Sequence, residues 1–209
     1  MTPDATLDAG LAELGLALDA DARRRLRTFV AMVERWNRTY NLTAIRDPRR
    51  LMTHHLLDSL SVIAHLPGGS LLDVGSGAGF PGIPVAIAQP AREIALLDAN
   101  SKKAAFLRQA RIELALANVT VQEARVESWQ PQRPFQVVIS RAFAELAAFV
   151  EGCRHLVAAG GEWIAMKGAV PQAEIAALPP DLEVRGVVRL RVPMLDAERH
   201  LIRIGRRQA

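Results

Sequence analysis

The chain has 209 residues, half of them hydrophobic, and a formal net charge of +4. That length suits one domain with a full core, and a single cysteine, Cys153, excludes a disulfide framework or a clustered thiolate metal site and reads as a buried structural thiol. No apolar run approaches membrane-spanning length, and the start, MTPDATLDAG, lacks the basic residues and apolar stretch of a signal peptide, so a soluble cytoplasmic protein is expected.

The first third reads as helices. Phe29, Val33, Trp36 and Tyr40 share one helical face, with Val30 and Met32 beside it. The segment NLTAIRDP breaks this helix, and Pro48 opens the next with Asp47 as its N-cap. Residues 48–66 carry Leu51, His55, Leu56, Ser59, Leu60 and Ile63 at helical spacing. His54 and Asp58, four apart on that helix, read as a structural pair. From residue 70 the texture changes. Strands are predicted over 70–74, 93–98, 119–124 and 135–140, with helices over 81–89, 100–117 and 144–158. This alternation implies a parallel sheet covered on both faces. A fifth strand follows over 160–168. The segments LEVRGVVRLRVP and ERHLIRIGR add two more, joined near MLDA, and give the α/β sheet an antiparallel edge. The expected division is a helical extension, 1–66, and a sheet domain, 67–209, packed as one globular unit.

Charge adds a direction. The isoelectric point near 10.0 suggests a polyanionic partner. Seven arginines against three acids lie between Glu183 and the end, which equally describes a solvated sheet edge. Nearly all basic residues are arginine. The three lysines, Lys102, Lys103 and Lys167, are all predicted at one edge of the sheet.

The densest motif is LLDVGSGAGFPGIP, residues 71–84. An apolar strand ends near Asp73, and Gly75, Gly77 and Gly79 follow at every second position. A strand, a glycine turn and a helix put backbone N–H groups and a helix N-terminus at the carboxyl edge of a sheet. Dinucleotide sites favour G-x-G-x-x-G; here Phe80 occupies the third glycine's place. The observed turn suits an adenosyl ligand with an amino-acid tail and no phosphate, namely S-adenosylmethionine. The second strand ends in Asp98, placed to take both ribose hydroxyls or else to cap the next helix, a task open also to Asn100 or Ser101.

With those residues in hand, the chain resembles the RsmG (GidB) family of bacterial small-subunit ribosomal RNA methyltransferases. YNLTAIRDP, HHLLDSL, DVGSGAGFPGIP, LLDANSKKAAFLRQ, VISRAFAEL, MKG and LDAERHLI match its signatures in order over almost the whole chain. DVGSGAG fits most class I methyltransferases; NLTAIRDP, GFPGIP and ISRAF fit this family closely. His54 stands where the family often has arginine, and Ser76 and Phe80 replace a common threonine and leucine. The resemblance implies a class I S-adenosylmethionine-dependent methyltransferase fold, Rossmann-like, with a mostly parallel seven-stranded sheet. It implies methyl transfer to N7 of a guanine in the decoding-region loop of 16S ribosomal RNA, as naked RNA or small-subunit particle, by a monomer without metal. The cofactor set is then Asp73, Gly75, Gly77, Gly79, Phe80, Asp98, Val126, Glu127 and Arg141, with a backbone N–H of Val126 or Glu127 reading the adenine edge. Arg141 is also the candidate catalytic or substrate-positioning residue, against the plainer reading of a salt bridge. Lys102, Lys103, Arg125, Lys167, Arg199 and His200 are the expected RNA contacts, and Phe80, Phe143 and Trp163 are candidates for base stacking, with core packing favoured for Trp163. Two other functions stay open: a nicotinamide-dependent oxidoreductase, and a non-catalytic RNA-binding factor on the same fold.

Overall fold

The computed structural model describes residues 2–207 except 142 and 144. Helix α1 spans Pro3–Glu13 and α2 Ala20–Tyr40, each opened by a side-chain oxygen (Thr2, Asp19) that accepts a hydrogen bond from a first-turn N–H. Asn41 ends α2 in the left-handed conformation. Asp47 caps α3 (Pro48–Leu51) by accepting from Arg49 N–H at 2.9 Å. The helix then widens into a π-helical segment, Met52–Leu57, and returns to α-geometry in α4, Asp58–Leu60.

The rest is a seven-stranded sheet: β1 Leu71–Val74, β2 Ile94–Asp98, β3 Val119–Glu123, β4 Phe135–Ser140, β5 Val157–Lys167, β6 Leu182–Arg189 and β7 His200–Arg206. The spatial order is β3-β2-β1-β4-β5-β7-β6. Strands β1 to β5 pair in parallel, and β7 inserts antiparallel between β5 and β6. Helices α5 (Gly82–Ala88), α6 (Ser101–Glu113), α7 (Leu146–Cys153) and α8 (Gln172–Ala176) complete the layers. Strands β1 and β2 are buried at every residue, as expected of central parallel strands.

Side chains alternate between two cores. Leu71, Leu96, Val137 and Ile139 face one side, where they join Leu7, Leu11, Phe29 and Val33 of the N-terminal helices. Leu72, Leu97, Val138 and Trp163 face the other, against Leu146, Phe149 and Val150 of α7. The N-terminal helices therefore share a continuous core with the sheet. Tyr40, at the end of α2, is 44% exposed and rests on Trp36 with ring centres 5.2 Å apart.

Candidate active site at the carboxyl edge of the sheet

Strand β2 continues from β1 on one side and β4 lies on the other, so the sheet has its switch point at the carboxyl end of β1. The glycine turn sits there. Gly75, Gly77 and Gly79 have φ of 69°, 56° and 87°, a region glycine enters without steric cost. Their reasons for being glycine differ. A Cβ on Gly79 would meet Ile83 at 2.7 Å and Phe29 at 3.1 Å, so Gly79 makes room for the protein's own core. A Cβ on Gly77 would meet nothing closer than 3.7 Å, so the space beside it is open.

Asp98, 8% exposed, ties the turn to β2. One carboxylate oxygen accepts from Gly77 N–H at 2.8 Å, the other from Asn100 N–H at 2.8 Å. The cap of α6 is Asn100, whose side-chain oxygen accepts from the N–H groups of Lys102 and Lys103. Asp98 is thus not needed as the cap. Gly75, Asp98, Arg125, Val126, Glu127 and Phe143 help line one cleft of about 170 Å³. Among the described residues, the N–H groups of Val126 and Glu127 have no protein acceptor, while the Arg125 carbonyl accepts from Ser128 and Trp129. These features fit an adenosyl ligand: an acid beside a backbone that approaches closely, and two N–H groups one strand further on.

Asp73 is placed differently from the expectation. It is fully buried beneath the turn, and one oxygen accepts from Gly82 N–H at 2.9 Å while the other has no partner among the described residues. Burial raises its carboxyl to about 7. It supports the start of α5 and does not face the cleft. Phe80, expected in the cofactor set, is 2% exposed and packs on Phe29 and His55, each with ring centres 4.9 Å away. A ring so enclosed offers no open face for a base to stack on. Trp163 is likewise fully buried, as core packing requires. Phe143 is half-buried against Phe149, at 5.2 Å. Cys153 is buried, and its thiol is pushed up to about 12 by burial, so it is an inert core group.

A second concavity, about 300 Å³, adjoins the end of β4 and is lined by His54, His55, Asp58, Arg141, Lys167 and Arg199 among others. Arg141 lies over the Phe80 ring, 5.5 Å from its centre, and reaches Asp58 at 3.5 Å. Arg199 reaches the other oxygen of Asp58 at 3.2 Å. Burial pushes the Asp58 carboxyl up and the two guanidiniums pull it back. The expected His54–Asp58 pair does not form. The π-helical turn shifts the spacing between them, and His54 Nδ1 lies 2.8 Å from Thr53 Oγ1 instead. His55 donates through Nδ1 to the His54 carbonyl at 3.1 Å, and its Nε2 accepts from the Thr43 hydroxyl at 2.7 Å. Burial, then the Arg141 charge, holds its pKa down to about 3.

The remaining cations divide. Lys102 and Arg125 are exposed, and Lys103 is half-exposed at the start of α6. Lys167 is ion-paired with Glu174 at 2.8 Å, and Glu174 also accepts from Leu146 N–H at the start of α7. Its charge is spent inside the protein. His200 is 8% exposed and donates through Nδ1 to the Gly168 carbonyl at 2.6 Å, so it ties β7 to the loop after β5 and is not presented to RNA. Asp58 is the residue that spacing misplaced. Its signal is a lone acid in the apolar run HHLLDSLSV, since a buried carboxylate demands distant cations.

Comparison with known proteins shows the family and the fold. The sequence profile described as rRNA small subunit methyltransferase G matches residues 22–202. A ribosomal RNA small subunit methyltransferase G of Laribacter hongkongensis is 55% identical over 201 residues, covering 96% of this chain and 97% of that one. Its counterpart in Chromohalobacter salexigens is 53% identical and covers 99% and 100%. Among solved structures, the chain is similar to a SAM dependent methyltransferase from Aquifex aeolicus (TM-score 0.56, 18% identity, 76% of this chain and 93% of that one). A ribosomal protein L11 methylase from Lactobacillus delbrueckii subsp. bulgaricus aligns with TM-score 0.56 at 14% identity, covering 78% and 80%. At such identities these structures speak for the fold, which is that of S-adenosylmethionine-dependent methyltransferases.

Proposed function

The chain belongs to the rRNA small subunit methyltransferase G family, and from that membership we propose that it methylates N7 of a guanine in the decoding-region loop of 16S ribosomal RNA. S-adenosylmethionine supplies a methyl group on a positively charged sulfur. Guanine N7 has a lone pair and no proton, so direct in-line displacement needs no general base. The task left to the protein is to hold donor and acceptor in line. The observation that carries this reading is the cleft at the switch point. It combines open space beside Gly77, the carboxylate of Asp98 and two N–H groups that find no acceptor among the described residues.

Within that cleft Asp98 would hold the ribose hydroxyls, and Val126 or Glu127 N–H the adenine edge. Asp73 would act beneath the turn, through Gly82. Arg141 would face the substrate side from above Phe80. His55 is a poor base candidate, because its Nε2 is already occupied by Thr43. Lys102, Lys103 and Arg125 would supply phosphate contacts around the rim. On this reading the protein works as a monomer in the cytoplasm. The nicotinamide alternative needs a glycine where Phe80 is packed into the core.

Incubating the protein with labelled S-adenosylmethionine and small-subunit RNA, free or assembled, tests the proposal. Label should enter 16S RNA, and borohydride reduction with aniline should then cleave the strand at a single N7-methylated guanine. Label at another atom would refute the N7 assignment; no transfer to any form of the RNA would refute the substrate.

A further inference from the structure

The concavity beside the cofactor cleft holds an arrangement that methyl transfer alone does not explain. Arg141 follows β4 and Arg199 precedes β7, yet both end on Asp58, which is 2% exposed. Asp58 comes from neither strand. It belongs to the N-terminal helical layer, at the first residue after the π-helical segment. Burying a carboxylate costs free energy, and cations meant only to attract a polyanion need no such partner. Both arginines also keep access to the concavity, with side chains 25% and 24% exposed. Arg141 reaches Asp58 through Nη1; Arg199 reaches it through Nε and gives Nη1 to the Glu198 carbonyl. Among the described residues no acceptor takes the remaining guanidinium donors, which are open to a ligand. Two arginines and one carboxylate sum to +1, which matches the single negative charge of a phosphodiester. The planar fork of arginine suits phosphate oxygens.

We propose that Asp58 is a positioning residue that fixes Arg141 and Arg199 as a two-guanidinium clamp for one backbone phosphodiester of the RNA beside the target guanine. This rests on the reading of the chain as an RNA methyltransferase and deepens it. Asp58 does not touch the RNA. It orders two long side chains in advance, so less freedom is lost when the strand docks.

The sign of one experiment separates positioning from plain charge. Removing Asp58 raises the local charge from +1 to +2. If the arginines acted only as cations, RNA would bind more tightly, with a steeper salt dependence. Positioning demands weaker productive binding despite the added charge. Asp58→Asn, which keeps the shape, and Asp58→Ala are therefore expected to lower kcat/KM for RNA by roughly tenfold or more, with S-adenosylmethionine affinity by calorimetry within about twofold of the unaltered protein. A scan of RNA substrates carrying one neutral methylphosphonate linkage supplies the second arm. One linkage near the target should cost the unaltered enzyme about tenfold and the Asp58→Asn variant much less, because both changes break the same contact. An enzyme inactive on every RNA refutes the underlying reading. An active enzyme with no sensitive linkage, or variants with unchanged kcat/KM, overturns the clamp alone. A large loss of cofactor affinity assigns the arginines to the cofactor and also overturns it. If both Asp58 variants fail to fold, Arg199→Lys, which keeps the charge and loses the fork, takes their place in the same linkage scan.

Discussion

Gly77 and Gly79 look alike in sequence and differ in what a methyl group would meet. Gly77→Ala should cost the fold about 1 kcal/mol, the penalty of a side chain at positive φ, and should weaken S-adenosylmethionine binding by more than tenfold. Gly79→Ala should lower the melting temperature further, through its clash with Ile83 and Phe29, and weaken cofactor binding less. Melting curves and calorimetry on both variants check the contrast. Charge-assisted bonds from two ribose hydroxyls to Asp98 would together contribute on the order of 2–4 kcal/mol, so Asp98→Ala should weaken cofactor binding more than tenfold. A loss below about threefold would leave Asp98 only its bonds to Gly77 and Asn100. Two buried groups should also shape stability against pH, in opposite directions. The pKa of His55 falls from 6.5 to about 3 on folding, so its contribution is lost as pH falls through that window. The pKa of Asp73 rises from 3.8 to about 7, so its contribution is lost as pH rises from the lower value to the higher. Each slope reaches at most about 1.4 kcal/mol per pH unit, and they offset where the windows overlap. Asp73→Asn should therefore gain stability relative to the unaltered protein as pH rises from 4 to 7 (roughly), and His55→Gln as it falls over the same range, both measured by urea midpoints.

At the scale of elements, the start of α6 and the end of β5 separate two kinds of lysine. Lys102 and Lys103 project from the first turn of α6 at the rim. Neutralising both should reduce the salt slope of RNA binding by about one to two units and leave cofactor affinity unchanged. An RNA titration across salt concentrations measures it. Lys167 should behave otherwise, since it holds Glu174 of α8, which holds the start of α7. The strands were readable because apolar runs and βαβ alternation are local signals; β4 falls on 135–140 in both reading and structure. Helix boundaries moved by a few residues, as at α6, which ends at Glu113 where a run to 117 was expected. The π-helical turn and the partners of Asp58 were not readable. Arg141 and Arg199 lie 83 and 141 positions from Asp58, and no local spacing encodes a contact at that separation. Likewise the prolines, glycines and acids of the turn announce a site, but only packing tells that Asp73 and Phe80 face inward.

For the molecule as a whole, one core links the N-terminal helices to the sheet. Phe29 of α2 packs on Phe80 and on Phe106 of α6, with ring centres 4.9 and 6.4 Å apart. Unfolding should therefore be a single transition. Fluorescence from variants keeping only Trp36, in α2, or only Trp163, in β5, should report the same urea midpoint as circular dichroism. The placement of β7 has a further consequence, in the order of synthesis. Among the described residues strand β6 pairs with β7 alone, yet is made before it. A growing chain therefore holds β6 idle, with the side of β5 uncovered, until the later strand slides between them. Arg199 stands at the entry to that strand, so the arginine pair is among the last parts to be assembled. A nascent chain halted before Arg199 would carry the complete glycine turn and the rim cations Lys102, Lys103 and Arg125 but only one member of the arginine pair, so the proposed clamp closes only when the last strand is made.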